Sequence, residues 1–218
     1  MPDCSQHPGI YHTPMPTTHL LYLHGFRSSP QSAKARQVAA WVQSRHPAVV
    51  WWCPQLPPSP RAAMQMVADG IAGWPRDSMA VIGSSLGGFY ATHVAETCAC
   101  RAVLLNPSVD PARDLGSYIG EQTAWHDPNT HFVFEPHFVD ELRALEHGPA
   151  ARPRAAHDGA SGGAHYFAII AKGDELLDWR EMTGRYPGAR IKLLEGGNHA
   201  LSDFDEHLPD ILEFLQLA

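Results

Sequence analysis

Residues 79–90 read MAVIGSSLGGFY, an apolar run that leads directly into Gly83-Ser84-Ser85-Leu86-Gly87. This segment fits the pattern G-x-S-x-G, in which a strand turns sharply into a helix and the serine stands at the tip of the turn. The flanking glycines allow close approach of the two chain segments, because they carry no Cβ atom. The segment therefore predicts a strand, a nucleophile elbow and a helix, with Ser85 as the candidate nucleophile.

Short apolar runs of the same kind recur along the chain and alternate with amphipathic segments. Apolar residues follow helical spacing in 35–42, in 64–71 and in the last helix, where they lie within 208–215. Ser59 and Pro60 provide a helix cap and a first helical residue for the second of these. The alternation predicts an α/β domain with a doubly wound, mainly parallel six-stranded sheet and helices on both faces. The predicted strands are 20–23, 49–52, 79–82, 102–105, 166–170 and 191–194.

The chain of 218 residues is of the size of one domain, which we place at residues 19–218. Residues 1–18 contain four prolines and predict a flexible N-terminal arm. Residues 107–146 are long for a loop and carry aromatic residues, so they predict a cap segment. Residues 147–164 are rich in Ala, Gly, Pro and Arg and predict a mobile loop.

The composition argues against several classes of partner. A formal net charge of -7 disfavours nucleic-acid binding, since an acidic surface repels phosphate. No apolar run approaches the roughly 20 residues that membrane insertion requires. The four cysteines form no CxxC pair and no signal peptide is evident, so we expect a cytoplasmic protein, with a monomer as the default state.

Acyl transfer by a serine requires two donors for the oxyanion. One is the backbone N–H of Leu86, the residue after the candidate nucleophile. The loop after the first predicted strand reads His24-Gly25-Phe26-Arg27, and its Phe26 N–H is the second candidate. We expect the His24 side chain to brace this loop at the edge of the substrate pocket.

The candidate base and acid follow the last two predicted strands. His199 stands at the end of the last strand, above the carboxyl edge of the sheet where ligands bind in doubly wound folds. The preceding strand leads into Asp174, Glu175 and Asp178. Asp174 is the first choice as the acid that orients His199, Asp178 is the alternative, and Glu175 is expected to face solvent. The order Ser85, Asp174, His199 is typical of this type of triad.

Further residues are candidates for the substrate pocket. Tyr118 and Trp125 lie in the predicted cap segment and could border an acyl group. Arg27 could meet an anionic group of a substrate or pair with a surface carboxylate. We expect no metal site, because His126 and the other histidines of this segment lack ligand spacing.

Several segments together resemble the YqiA-like family of small bacterial esterases, within the α/β-hydrolase superfamily. The resemblance extends from Leu21 to Leu217 and rests on residues 22–30, 82–90, 105–107, 173–178 and 195–199. It implies a compact α/β-hydrolase fold and hydrolysis of small-molecule carboxylic esters, with acyl thioesters as a second class, through an acyl-enzyme. It implies no cofactor.

Two other functions remain open on the same scaffold, because fold alone does not determine function. One is a catalytically inactive α/β-hydrolase-like binding protein. The other is a different reaction of the same triad, either C–C bond hydrolysis or cofactor-free peroxidation.

Overall fold

The structure is a computed structural model that describes residues 16–148 and 165–217. Residues 1–15 of the predicted arm and 149–164 of the predicted mobile loop lie outside this range. Thr17 is buried, and its hydroxyl donates a hydrogen bond to the Leu215 carbonyl at 2.6 Å. The packed structure therefore includes residues 16–18, which the sequence places in the arm.

The core is a six-stranded parallel sheet in the order β2-β1-β3-β4-β7-β8, which confirms the predicted architecture. Its strands are fully buried at the centre, because helices cover both faces. A separate antiparallel hairpin joins β5 and β6. The strands are β1 (His19–Leu23), β2 (Val50–Trp52), β3 (Met79–Ser84), β4 (Arg101–Leu105), β5 (Gly120–Thr123), β6 (His131–Phe134), β7 (Tyr166–Ala171) and β8 (Arg190–Leu194).

Seven α-helices and one short 3₁₀-helix surround the sheet within the described residues. The second helix begins at Pro60 with Ser59 as its cap, as the sequence predicts. The helices are α1 (Ala33–Arg45), α2 (Pro60–Gly70), α3 (Leu86–Cys98), α4 (Pro111–Leu115), α5 (Pro136–Glu146), α6 (Trp179–Arg185) and α7 (Phe204–Phe214), and the 3₁₀-helix spans Gly116–Tyr118. None of the helices in these residues is long and apolar enough to cross a membrane.

Alternating side chains of the strands supply two apolar cores, one on each face of the sheet. On one face, Leu20 and Tyr22 of β1 pack with α1 and α7. On the other face, Leu21 and Leu23 of β1 pack with α2, α3 and the helices of the cap segment. The carboxyl ends of β1, β3 and β4 coincide, since Leu23 pairs with Gly83 and Ser84 pairs with Leu105.

The cap segment combines helices with the β5–β6 hairpin, which is not among the strands predicted from the sequence. Both strands of this hairpin have four residues, most of them half-buried or exposed, so the long buried runs of the main sheet are missing there. The carboxylate of Glu141 in α5 accepts hydrogen bonds from the Ser59 hydroxyl at 2.7 Å and the Arg61 N–H at 3.0 Å. These bonds attach the cap segment to the start of α2.

Candidate active site

Ser85 stands at the turn between β3 and α3 with φ 56 and ψ -122, a backbone conformation that side chains rarely adopt. The two flanking glycines make the turn possible. A Cβ on Gly83 would lie 2.2 Å from the Gly87 carbonyl oxygen, and a Cβ on Gly87 would lie 2.0 Å from the Leu23 carbonyl oxygen. The sequence pattern therefore folds into the sharp elbow that it predicts.

His199 connects the serine to a carboxylate. Its Nε2 lies 3.0 Å from Ser85 Oγ, and its Nδ1 lies 2.8 Å from Asp174 Oδ2. The Asp174 side chain is fully buried, and its other oxygen accepts the N–H groups of Leu176 and Leu177 at 2.8 and 2.9 Å. The three predicted residues thus form one continuous chain of hydrogen bonds.

The two competing carboxylates have other roles in the structure. Asp178 caps α6 by accepting the Arg180 N–H at 2.8 Å, and its side chain is half exposed. Glu175 faces solvent, and its Oε2 accepts the backbone N–H of His199 at 3.0 Å. This hydrogen bond lowers the pKa of the Glu175 carboxyl. Asp174 is therefore the carboxylate in contact with the His199 ring.

The loop after β1 lies directly against the serine. A Cβ on Gly25 would stand 3.1 Å from Ser85 Cβ, so only glycine brings this loop so close. Within residues 16–148 and 165–217, the backbone N–H groups of Phe26 and Leu86 have no hydrogen-bond acceptor. Both amides are therefore unpaired in the described structure.

His24 braces this loop with both ring nitrogens. Its Nδ1 donates to the Gly25 carbonyl at 3.0 Å, and its Nε2 accepts the Leu56 N–H at 3.1 Å. Burial lowers the pKa of the His24 ring, which keeps it neutral in this arrangement. Its ring also borders the cleft that contains Ser85.

The β5–β6 hairpin holds the same loop from the cap side. Arg27 Nε donates to the Thr123 carbonyl at 2.7 Å, and the Trp125 N–H donates to the Arg27 carbonyl at 2.8 Å. The guanidinium lies 4.2 Å from the centre of the Trp125 ring, and Phe26 packs edge-on against Phe134 at 5.2 Å. Among residues 16–148 and 165–217, Arg27 therefore pairs with a carbonyl oxygen and an indole ring, and forms no ion pair with a carboxylate.

A cleft of about 540 Å³ opens above Ser85 and His199. Tyr118 and Trp125 border it from the cap segment, and Trp125 is 69% exposed at its rim. A second cavity of about 400 Å³ lies on the other side of the loop after β1. Its walls include Leu56, Tyr90 and Phe132.

Asn106 supports the site from outside the hydrogen-bonded chain. In the sequence, it stands out only as part of residues 105–107, one of the segments that carry the family resemblance. Its side chain is fully buried, and Nδ2 donates to the carbonyl oxygens of Asn198 and His199 at 3.1 and 3.2 Å. Its Oδ1 accepts the Ala171 N–H at 2.8 Å. A polar residue directly after the buried strand β4 is the only sequence signal for this contact.

The described part of the chain contains no group of three or more His, Cys, Asp or Glu side chains that could hold a metal ion. His126, His131 and His137, which lie in the cap segment, form no such group.

The fold resembles that of several solved structures. One is the α/β hydrolase domain-containing protein 10 from mouse, with a TM-score of 0.64, 14% identity and 91% of each chain covered. Another is Est1E from Butyrivibrio proteoclasticus with bound ferulic acid, with a TM-score of 0.66, 12% identity and coverage of 93% and 89%. A third is the esterase Pf2001 from Pyrococcus furiosus, with a TM-score of 0.58, 16% identity and coverage of 92% and 81%.

The parallel sheet and its helices therefore define an α/β-hydrolase fold. Residues 19–216 match the family described as "Uncharacterised protein family (UPF0227)". The chain belongs to this family, which confirms the resemblance to the YqiA-like proteins.

Proposed function

We propose that the protein is a serine hydrolase that cleaves carboxylic esters through an acyl-enzyme on Ser85. The observation that carries this proposal is the hydrogen-bonded chain from Ser85 Oγ through His199 to Asp174, which opens into the cleft. A serine hydroxyl is a weak nucleophile by itself, and an adjacent base activates it. The neutral imidazole of a histidine suits this role near neutral pH.

In the first half of the reaction, His199 Nε2 takes the Ser85 proton as Oγ attacks the acyl carbonyl. The backbone N–H groups of Phe26 and Leu86 donate to the oxyanion, each contributing about 3 kcal/mol to transition-state stabilisation. His199 then gives its proton to the leaving oxygen as the C–O bond breaks. The alcohol departs and the acyl group remains on Ser85.

In the second half, His199 takes a proton from a water molecule that attacks the acyl-enzyme. The carboxylic acid leaves, and the proton returns to Ser85 Oγ. Asp174 holds the Nδ1–H tautomer of His199 and stabilises the imidazolium in both halves. Side chains, backbone amides and water complete the reaction, and an acyl thioester would follow the same steps with a thiol as the leaving group.

A fluorophosphonate probe tests the proposal without a choice of substrate. We expect one adduct by intact mass, mapped to Ser85 and lost in Ser85→Ala. Ser44→Ala, an exposed serine of α1, is the matched control and should label normally. Absence of labelling in folded protein would contradict an activated serine.

Turnover then separates the reaction classes. We expect hydrolysis of short 4-nitrophenyl esters, lost in Ser85→Ala. Labelling at Ser85 without turnover of any ester or thioester would contradict the proposed reaction. Parallel assays with diketones and with peroxide would detect C–C bond hydrolysis and peroxidation by the same triad.

A further inference from the structure

The cleft extends beyond Ser85 to the face of the sheet that α1 covers. At this end it is bordered by Tyr22 and by Ser32 and Lys34 from the start of α1, a set that we call the α1 subsite. The opposite end lies against the cap segment and is bordered by Leu115, by Tyr118 and by Asp114, whose carboxylate is paired with Arg113. Lys34 is the charged member of the α1 subsite.

Lys34 is a partly buried ammonium group without a carboxylate partner in the described residues. Its Nζ donates to the carbonyl oxygen of Ala200, the residue after His199. An ammonium has three N–H donors, so two remain for a ligand. Burial lowers the pKa of Lys34 to about 8, because no nearby negative charge compensates for lost hydration. An anion in the cleft would supply this compensation.

Tyr22 also borders this end of the cleft. The residue is fully buried, and its hydroxyl lies near the hydroxyls of Ser32 and Ser84 without a well-formed hydrogen bond in the described residues. Burial raises the pKa of the phenol, so the group stays neutral. The three hydroxyls make this end of the cleft polar, beside the Lys34 ammonium.

The charges around this end of the cleft favour an anionic ligand. Ser32 caps α1, and the positive end of the helix dipole is directed to the same place. The acidic side chains that border the cleft are Glu175, which is exposed and accepts the His199 N–H, and Asp114, which is paired with Arg113. The positive charge of Lys34 therefore has no competing carboxylate in the subsite itself.

We propose that the α1 subsite binds a carboxylate of the substrate, so that the protein prefers esters in which one arm ends in a carboxylate group. The Lys34 ammonium would contact the carboxylate, whose oxygens accept charge-assisted hydrogen bonds. The other arm of the ester would lie against the cap-segment end of the cleft, beside Leu115 and Tyr118. The inference rests on the proposed ester hydrolysis and specifies its substrate class.

Two pairs of esters test the preference, one for each arm. In the first, 4-nitrophenyl hydrogen glutarate is compared with 4-nitrophenyl valerate, which places the charge on the acyl arm. In the second, 4-acetoxybenzoate is compared with its methyl ester, which places it on the alcohol arm. We expect the charged ester to have the higher kcat/KM in at least one pair. The pair that shows this preference identifies whether the acyl arm or the alcohol arm carries the carboxylate.

Variants separate recognition from support of the fold. Lys34→Met should lower the ratio of charged to neutral kcat/KM on the order of tenfold or more, as expected for a lost hydrogen bond to a charged group. Lys34→Arg should retain part of the preference, and Arg36→Met, which removes an exposed charge from the same helix, should leave the ratio unchanged. A purely structural Lys34 would lower both rates equally, which would overturn the proposal.

Calorimetry on Ser85→Ala gives an answer that does not depend on turnover. Monomethyl glutarate should bind more tightly than dimethyl glutarate, and the difference should vanish in Ser85→Ala/Lys34→Met. Equal binding of both compounds would overturn the subsite, while hydrolysis of neutral esters would still support the proposed function. Loss of labelling at Ser85 with retained carboxylate binding would instead contradict the function and keep the subsite.

Discussion

The side-chain amide of Asn106 donates a hydrogen bond to the carbonyl oxygen of His199 at 3.2 Å. The same residue bonds to Asn198 and to Ala171, the last residue of β7, so it joins three segments at the carboxyl edge of the sheet. Its φ of 41 is a conformation that asparagine tolerates better than most residues. The position of His199 above Ser85 therefore depends on a buried side chain that is not among those bordering the substrate cleft.

Replacement of Asn106 by aspartate tests this positioning role. Asn106→Asp keeps the acceptor for the Ala171 N–H but loses the two donors and faces carbonyl oxygens. We expect fluorophosphonate labelling of Ser85 to slow by roughly 10- to 100-fold, because small displacements of a reacting group have such effects. Asn129→Asp, an exposed position in the hairpin, serves as the control. Equal labelling rates in both variants would refute the role.

Substitution of the two aspartates after β7 distinguishes their roles. Asp174→Asn should lower kcat by on the order of 10⁴, because an amide cannot hold the His199 tautomer and stabilise the imidazolium. Asp178→Asn should leave kcat nearly unchanged, since asparagine caps a helix as well as aspartate. Steady-state kinetics on a neutral ester decide between them, and a larger loss in Asp178→Asn would reverse the assignment.

The main sheet could be predicted because its strands are short apolar runs bounded by helical patterns, a signal that depends on local sequence alone. The β5–β6 hairpin escaped prediction because β5 is polar, begins at Gly120 and is half exposed. The sequence placed Ser85 and His199 at strand ends that meet at one edge, but left Asp174 and Asp178 open. Only the turn after β7, in which the Leu176 and Leu177 amides bind Asp174, determines which carboxylate meets the His199 ring.

The positions of Asn106 and Lys34 in the site could not be read from sequence, because each depends on contacts between distant segments. Lys34 lies on a helix with the spacing of an ordinary solvent-facing residue. It borders the cleft because α1 packs beside the His199 loop, where Lys34 Nζ donates to the Ala200 carbonyl.

A matched pair of glycine variants tests the elbow. Gly87→Ala would place a Cβ 2.0 Å from the Leu23 carbonyl oxygen and 2.7 Å from that of His24, and neither backbone atom can move away freely. We expect the free energy of unfolding to fall by about 3 kcal/mol or more. Gly184→Ala, in α6 with no neighbour within 4 Å, should raise it by about 0.5–1 kcal/mol. Urea denaturation measures both, and similar changes would contradict the tight packing at Gly87.

Arg27 is expected to support catalysis through the position of the Phe26 amide. Arg27→Met removes the hydrogen bond to Thr123 and the contact with Trp125, which together attach the loop after β1 to the hairpin. We expect kcat for a neutral ester to fall about tenfold or more, as for a weakened oxyanion donor, with a smaller change in KM. Arg45→Met, an exposed arginine at the end of α1, should retain kcat. A change in KM alone would indicate substrate contact instead.

The titration of Lys34 provides the most direct measure of its environment. Burial lowers the pKa of Lys34 from 10.5 to about 8. The neutral amine, which is the nucleophilic form, should therefore become populated at a pH more than two units lower than in the unfolded chain. Competitive acylation at a series of pH values, read at the Lys34 peptide, should give a midpoint near 8. Tyr22 stays neutral through this range and Glu175 stays ionised, and the variant His199→Gln removes a third titratable side chain that borders the cleft. Saturating glutarate should raise the midpoint, because a bound carboxylate favours the charged ammonium. An unchanged midpoint with bound glutarate would mean that the carboxylate lies away from Lys34.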